Sequence, residues 1–355
     1  MKKTEWMLIG GVLATGVFAE ESTLPARATE QRLELHGHQH SVAGNLPKQN
    51  ELDSILDGLE YGALFEWEIG HSDGQTDETM ATVELGAGWQ VTDWLHGDVV
   101  FLYEEGGTDP MDLDQLYITL GNTDEFPLIF QAGQFYVPFG HLDSFFISDP
   151  IVLELAEGLE KGATLGFEDG GFSASLTVFE SEISGANDYN GVLAASYSTE
   201  SDDSSIAVGA ALIHNILDAD GLTGALEDEG CFSAEEAAGF NAWLTATRGK
   251  ITLIAEYVQT LQDLEVDGND AGLKPASLNL EMGVELTELI GVAAKYEKAQ
   301  DAEDWFAETR YGLVGSCTVF ERDWVAAGVA LEYLREEFAD ETESDLFTLQ
   351  LALEF

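Results

Sequence analysis

Positive charge is scarce in this chain. Fourteen Lys and Arg stand against sixty-seven Asp and Glu in 355 residues, a formal net charge of −53 at pH 7. A balance so one-sided repels the phosphate backbone and excludes nucleic acid as a partner. It leaves two explanations open: a passage lined by carboxylates, or a surface made acidic for solubility or by a halophilic source. Cysteine is nearly missing as well. Cys231 and Cys317 are the only two, which excludes a disulfide scaffold. The strand layout below sends them toward opposite ends of the fold, so no pair is expected. No apolar run reaches the roughly 20 residues that a spanning helix needs. Enzyme signatures are lacking too. There is no Gly-x-Ser-x-Gly, no His-Glu-x-x-His and no complete phosphate loop, since Gly249-Lys250 lacks the upstream glycine and the following Ser or Thr. His96 and His214 read as wall or rim residues. No catalytic residue, resident cofactor or metal is expected.

What the chain has is alternation. From Asp345 to Phe355 the residues Phe347, Leu349, Leu351, Leu353 and Phe355 take every second position, with Thr348, Gln350, Ala352 and Glu354 between them. Period two gives a strand one apolar and one polar face. Two structures fit: the edge of a soluble sandwich, or the closing strand of an outer-membrane β-barrel whose apolar face meets lipid. The N-terminal residues favour the barrel. Met1 to Ala19 reads as a secretory signal peptide, with Lys2 and Lys3, an apolar run from Leu8 to Phe18, and a small-residue site at Val17-Phe18-Ala19. Residues 20–57 are expected to form a periplasmic or lumen-entering extension, and residues 58–355 the barrel.

Counting hairpins backward from Phe355 gives alternating short and long connections. Short turns are expected at 91–94, 122–127, 168–171, 199–204, 248–250, 287–289 and 321–323. Longer, more acidic loops are expected at 71–77, 105–111, 140–161, 182–188, 216–238, 262–274, 299–309 and 335–344. Short periplasmic turns, long outer loops and an even strand number characterise bacterial barrels. The expected fold is therefore all-β, a transmembrane antiparallel up-and-down barrel of about sixteen strands. Tyr61, Trp89 and Trp94 would form one aromatic girdle, and Tyr103, Tyr296 and Tyr333 the other.

An ordered set of segments carries a family likeness. It comprises Ala81-Thr82-Val83-Glu84-Leu85-Gly86, Leu102-Tyr103-Glu104-Glu105-Gly106, Ile118-Thr119-Leu120-Gly121 and the run from Ala132 to Gly140. Ser148-Asp149-Pro150, Leu153-Glu154-Leu155, Leu165-Gly166-Phe167-Glu168, Asp218 to Leu222, and Lys274-Pro275 follow. From about Gly58 onward the chain resembles the LbtU-type siderophore porins. The resemblance implies an outer-membrane barrel in contact with lipid and lipopolysaccharide. Its cargo would be small hydrophilic solutes or an iron–siderophore complex, passed without an energy-coupled plug. By analogy with porins, a homotrimer is expected.

If apolar residues face lipid, the other parity lines the lumen. That parity carries Glu66, Glu68, Glu84, Asp98, Glu256, Glu281, Glu285 and Glu332, with Lys295 as one of few bases. Rings of carboxylates favour cations, so cation preference is expected unless these are merely solvated wall residues. The segment 140–161 is too apolar for a loop in water, with Phe145, Phe146, Ile147, Val152, Leu153 and Leu155. It either covers a subunit interface or, like the third loop of sixteen-stranded porins, folds into the lumen. In the second case Asp143, Asp149, Glu154, Glu157, Glu160 and Lys161 would form the constriction. His36, His38 and His40 share one strand face without further support for a metal site. Asp218, Asp220, Gly221 and Glu227 fit a calcium loop only in part, with Ile216 at its first position.

Overall fold

A computed structural model describes residues 58–72, 74–105, 111–181, 189–228, 236–266, 269–270, 273–302, 305–322 and 325–355. The expected signal peptide, the extension 20–57, His36, His38, His40 and Cys231 lie outside these. The described chain runs β1 (Leu59–Ser72), β2 (Gln75–Thr92), β3 (Leu95–Tyr103), β4 (Asp112–Asn122), β5 (Phe126–Tyr136) and β6 (Leu159–Asp169). It continues through β7 (Phe172–Glu180), β8 (Tyr189–Ser201), β9 (Ser204–Ile213), β10 (Gly239–Arg248) and β11 (Ile251–Thr260). A small separate hairpin, β12 (Glu265–Val266) and β13 (Asn269–Asp270), precedes β14 (Ala276–Glu285), β15 (Ile290–Gln300), β16 (Thr309–Arg322), β17 (Val325–Glu337) and β18 (Glu343–Glu354).

Sixteen of these strands, all but β12 and β13, form one closed antiparallel barrel. Each pairs with its neighbours in chain order, and β11 pairs with β14 past the small hairpin. Closure comes from β1 against β18, with Phe65 opposite Leu353 and Ile69 opposite Leu349. The ring leaves no open edge, so the backbone donors and acceptors of every strand are used.

The faces are inverted relative to a soluble protein. Leu165, Leu313 and Leu331 stand 53%, 63% and 59% exposed on the outside, while Thr177, Asn241 and Glu332 are fully buried within. On β18, Phe347 and Leu349 point out, and Gln350 and Ala352 point in. The soluble-sandwich alternative fails here, because its buried face would be the apolar one. This arrangement needs apolar surroundings and a polar interior.

Turns at one rim are short, as the sequence suggests. Between β6 and β7 the turn is Gly170-Gly171, with φ of 59° and 81°. Two successive left-handed residues suit a tight hairpin turn, and glycine takes them without strain. At the other rim the expectation needs correction at two places. β1 and β2 remain paired as far as Ser72 and Gln75, and β17 and β18 as far as Glu337 and Glu343. The loops expected at 71–77 and 335–344 are therefore tight hairpins, because strand pairing extends through residues that read as polar loop. Besides the β11–β14 connection with its small hairpin, two long connections at this rim carry structure of their own. One spans 137–158 and contains a single helical turn, Ile151–Glu154. The other holds a 3-10 turn, Ile216–Asp218, and a helix, Asp220–Asp228. That helix takes the place of the partial calcium loop. Asp218 accepts hydrogen bonds from Ser181 Oγ at 2.9 Å and Asn190 Nδ2 at 2.7 Å, while the side chain of Glu227 lies outside the described residues.

Candidate pore constriction

The connection between β5 and β6 turns inward. Phe139, Phe146, Ile151, Val152 and Leu155 are all at most 1% exposed. These apolar side chains are what the polar interior of a barrel lacks, and packing them inside removes them from water. The loop crosses to the far wall and docks on β11, β14, β15 and β17. Of the two placements open from sequence, an inward fold and a subunit interface, the chain takes the first.

Four wall carboxylates hold the loop by its backbone. Glu256 on β11 accepts from the N–H of His141 (2.9 Å) and of Leu142 (2.7 Å), and from Asn241 Nδ2 (2.7 Å). Glu281 on β14 accepts from Phe145 N–H at 2.7 Å and Ser144 Oγ at 2.8 Å. Glu332 on β17 takes Ile147 N–H (2.7 Å), Ser148 N–H (3.1 Å) and Ser148 Oγ (2.5 Å). Glu297 on β15 accepts from Ile151 N–H at 2.7 Å. All four are buried. Charged acceptors make the stronger hydrogen bonds, and a buried carboxylate requires such partners.

Lys295 supplies the counter-charge. Its Nζ lies 3.4 Å from Glu281 and 3.8 Å from Glu297, donates to Ser148 O at 3.2 Å, and sits 4.7 Å from the centre of the Phe146 ring. Arg310 donates from Nε to Glu336 at 2.7 Å and from Nη1 to Asp149 O at 3.2 Å. Ring seats complete the dock. The end of the Phe145 ring abuts Gly283 of β14, where a Cβ would meet it at 2.6 Å. Phe146 packs among Ala293, Val314, Ala330 and Leu334. His141 stacks on Trp243 with centroids 4.1 Å apart, and its Nε2 lies 2.9 Å from Asp143.

Carboxylates also gather on the side of the loop turned toward β1–β4. Asp149 is within electrostatic reach of Glu66, Glu68 and Glu104, and Glu84 is within reach of Asp114. Glu68 accepts from Gln350 Nε2 at 2.9 Å, and Asp114 from Tyr136 OH at 3.0 Å. Burial, with the charges of Asp149, Asp220, Asp114 and Glu154, pushes the Glu157 carboxyl up to about 8. Burial raises Asp149 as well, although Lys295 and Arg310 pull the other way. Glu154 is raised by burial and by Asp149. For His141, burial acts downward, but the hydrogen bond and charge of Asp143, with Glu256, leave it raised.

The residues picked from sequence thus divide. Asp143, Asp149, Glu154 and Glu157 lie on the inward loop. Glu160 and Lys161 do not, because β6 already begins at Leu159. Glu160 is a buried inner-wall residue, and Lys161 shares the outward parity of Leu165. Glu66, Glu68 and Glu84 face the gap beside the loop, whereas Glu256, Glu281, Glu332 and Lys295 are taken up by the dock. Asp98 pairs with His96 at 2.9 Å near the short-turn rim, and Glu285 ends β14 at that rim, half-buried. Three acids of the site were missed: Glu104, just past the end of β3, Glu297 and Asp114. Glu297 shares the inward parity of Lys295 and was readable from it. Asp114 sits in a bulge, where Val100 pairs Gln115 and Phe101 pairs Leu113, and a bulge breaks the alternation that sequence reading relies on. Cys317 is a free thiol.

These features define a sixteen-stranded porin-like barrel with a long loop folded inside and packed against Ile216, Leu217 and Leu222 of the β9–β10 connection. Solved structures agree on the fold. OprB of Pseudomonas putida matches at a TM-score of 0.60 with 11% identity, over 86% of this chain and 96% of that one. OmpF of Salmonella typhi, solved in complex with daunomycin, matches at 0.57 with 10% identity, over 84% and 97%. OmpT of Vibrio cholerae, solved in a trimer form, matches at 0.56 with 12% identity, over 84% and 99%. Such identities show the fold alone. In sequence, a UPF0422 protein of Legionella pneumophila strain Philadelphia 1 is 24% identical over 287 residues, 73% of this chain and 54% of its own length. A UPF0422 protein of Coxiella burnetii is 28% identical over 208 residues, 54% of this chain and 44% of its own. The chain spans about half the length of the curated relatives it matches, and they are distant homologues. No protein-family model matches the chain.

Proposed function

We propose that the chain forms an outer-membrane channel for passive diffusion of small hydrophilic solutes, with a preference for cations. One observation carries this reading. The gap between the inward loop and β1–β4 is bordered by Glu66, Glu68, Glu84, Asp114, Asp149 and Glu157, while Lys295 and Arg310 lie on the docked side. Fixed carboxylates at a narrow point concentrate cations and repel anions. The inverted faces of the barrel support placement in lipid and contact with lipopolysaccharide, and the porin fold is usually that of a non-enzymatic channel. A homotrimer is proposed by analogy with the trimeric neighbour.

The resemblance to siderophore porins names iron–siderophore uptake as a specialised cargo. The acidic gap works against anionic ferric complexes and tolerates neutral or cationic ones. Swelling of proteoliposomes in cationic and anionic solutes of equal size tests the general reading; equal rates would contradict it. Iron-limited growth of a deletion strain tests the cargo, which fails if growth matches the parent.

A further inference from the structure

The barrel contains two kinds of carboxylate, and only one kind faces the gap. We infer that Glu256, Glu281, Glu297 and Glu332 are positioning residues that hold the inward loop against the far wall, and that selectivity belongs to the acids facing β1–β4. The selectivity half rests on the proposed channel function; the positioning half does not.

Hydrogen-bond accounting supports the division. Six backbone N–H groups of the loop, from His141, Leu142, Phe145, Ile147, Ser148 and Ile151, end on these four carboxylates. Apart from its one helical turn, a loop inside a barrel leaves its amides without ladder partners, and a buried amide needs one. The four acids supply those partners from β11, β14, β15 and β17, one side of the wall. Lys295 makes the set tolerable electrostatically by touching two of them, and it closes a fifth contact through Ser148 O. Charges so occupied contribute little to a passing ion. Of the loop side chains, Asp149 lies within electrostatic reach of Glu66 and Glu68, and Glu157 within reach of Asp114.

Geometry also says what replacing a carboxylate by its amide should do. Glu332 accepts three hydrogen bonds with two oxygens. Glutamine there can keep its oxygen on both backbone N–H groups and turn its NH2 to Ser148 Oγ, whereas at Glu281 either orientation sets an NH2 against Phe145 N–H or against Asn279 Nδ2 and Lys295 Nζ, so the contact there becomes repulsive. Gly283→Val attacks the same dock without changing any charge, because the added carbon meets the Phe145 ring at 2.6 Å.

The experiment uses the full chain with Cys231 and Cys317 changed to Ser and nitroxides placed at Asp143→Cys and Thr199→Cys. Pulsed-EPR distances report the loop, and an electrophoretic heat-shift confirms that the barrel is folded. A narrow distance distribution is expected in the parent. It should broaden in E281Q/E332Q and again in Gly283→Val, and stay narrow in E66Q/E84Q. In bilayers, E66Q/E84Q should lower the cation-over-anion permeability ratio by at least about threefold. The dock variants should change conductance and current noise while shifting that ratio by less than about twofold. Unbroadened distances in both folded dock variants would overturn the positioning role. A loss of selectivity in E281Q/E332Q at unchanged loop distance would overturn the division itself. A parent that does not conduct would contradict the channel reading and leave the distance test of the loop standing.

Discussion

Glu157 shows how one side chain reports on its surroundings. It sits on the inward loop between Asp149, Asp220, Asp114 and Glu154, and burial with these charges pushes its carboxyl up to about 8. The folded chain therefore favours its protonated form. The stability tied to this proton is complete below the ordinary carboxylate range and is lost as pH rises through about 8. The charge of the gap moves the other way. As pH climbs past that value the gap gains a negative charge, and cation preference should strengthen. Reversal potentials recorded between about pH 6 and about pH 9 should show this step, and Glu157→Gln should remove most of it. A flat profile in the parent would mean that Glu157 does not face the conducting path.

At the scale of the strand, much was legible beforehand. Period two in β2, β14 and β18 shows which side chains face lipid, because a fully paired strand has only two faces. The short turns were readable from glycine pairs and polar clusters, as at Gly170-Gly171. The inward loop was recognisable from its own apolar content. Its partners were not, since Glu256 and Glu332 lie more than a hundred residues from the amides they bind, and alternation says only that they point inward. The same parity that predicts a lumenal carboxylate cannot say whether loop or water meets it. Glu160 and Lys161 were misassigned for a local reason: β6 begins two residues before the polar run ends. The outward face makes its own prediction. Leu331, mid-strand on β17 and 59% exposed, should tolerate alanine. Leu331→Arg should destabilise the barrel by about 2–4 kcal/mol in denaturant titrations in lipid vesicles. Near-zero cost would place that face against something other than hydrocarbon.

For the whole molecule, the scarcity of bases acquires a location. The described structure puts Lys295 and Arg310 against the docked loop, where wall carboxylates and two loop carbonyls occupy them. The gap beside β1–β4 is left to acids. A barrel of this kind has an electrostatic asymmetry across its lumen that composition alone could not reveal, because −53 is equally compatible with a merely acidic surface. The central claim is that this asymmetry selects cations. Its most direct test is the zero-current potential of the protein in a planar bilayer under a salt gradient. The account predicts open channels whose potential lies toward the cation equilibrium value and moves toward zero in E66Q/E84Q. A potential on the anion side, from channels that conduct stably, would contradict it.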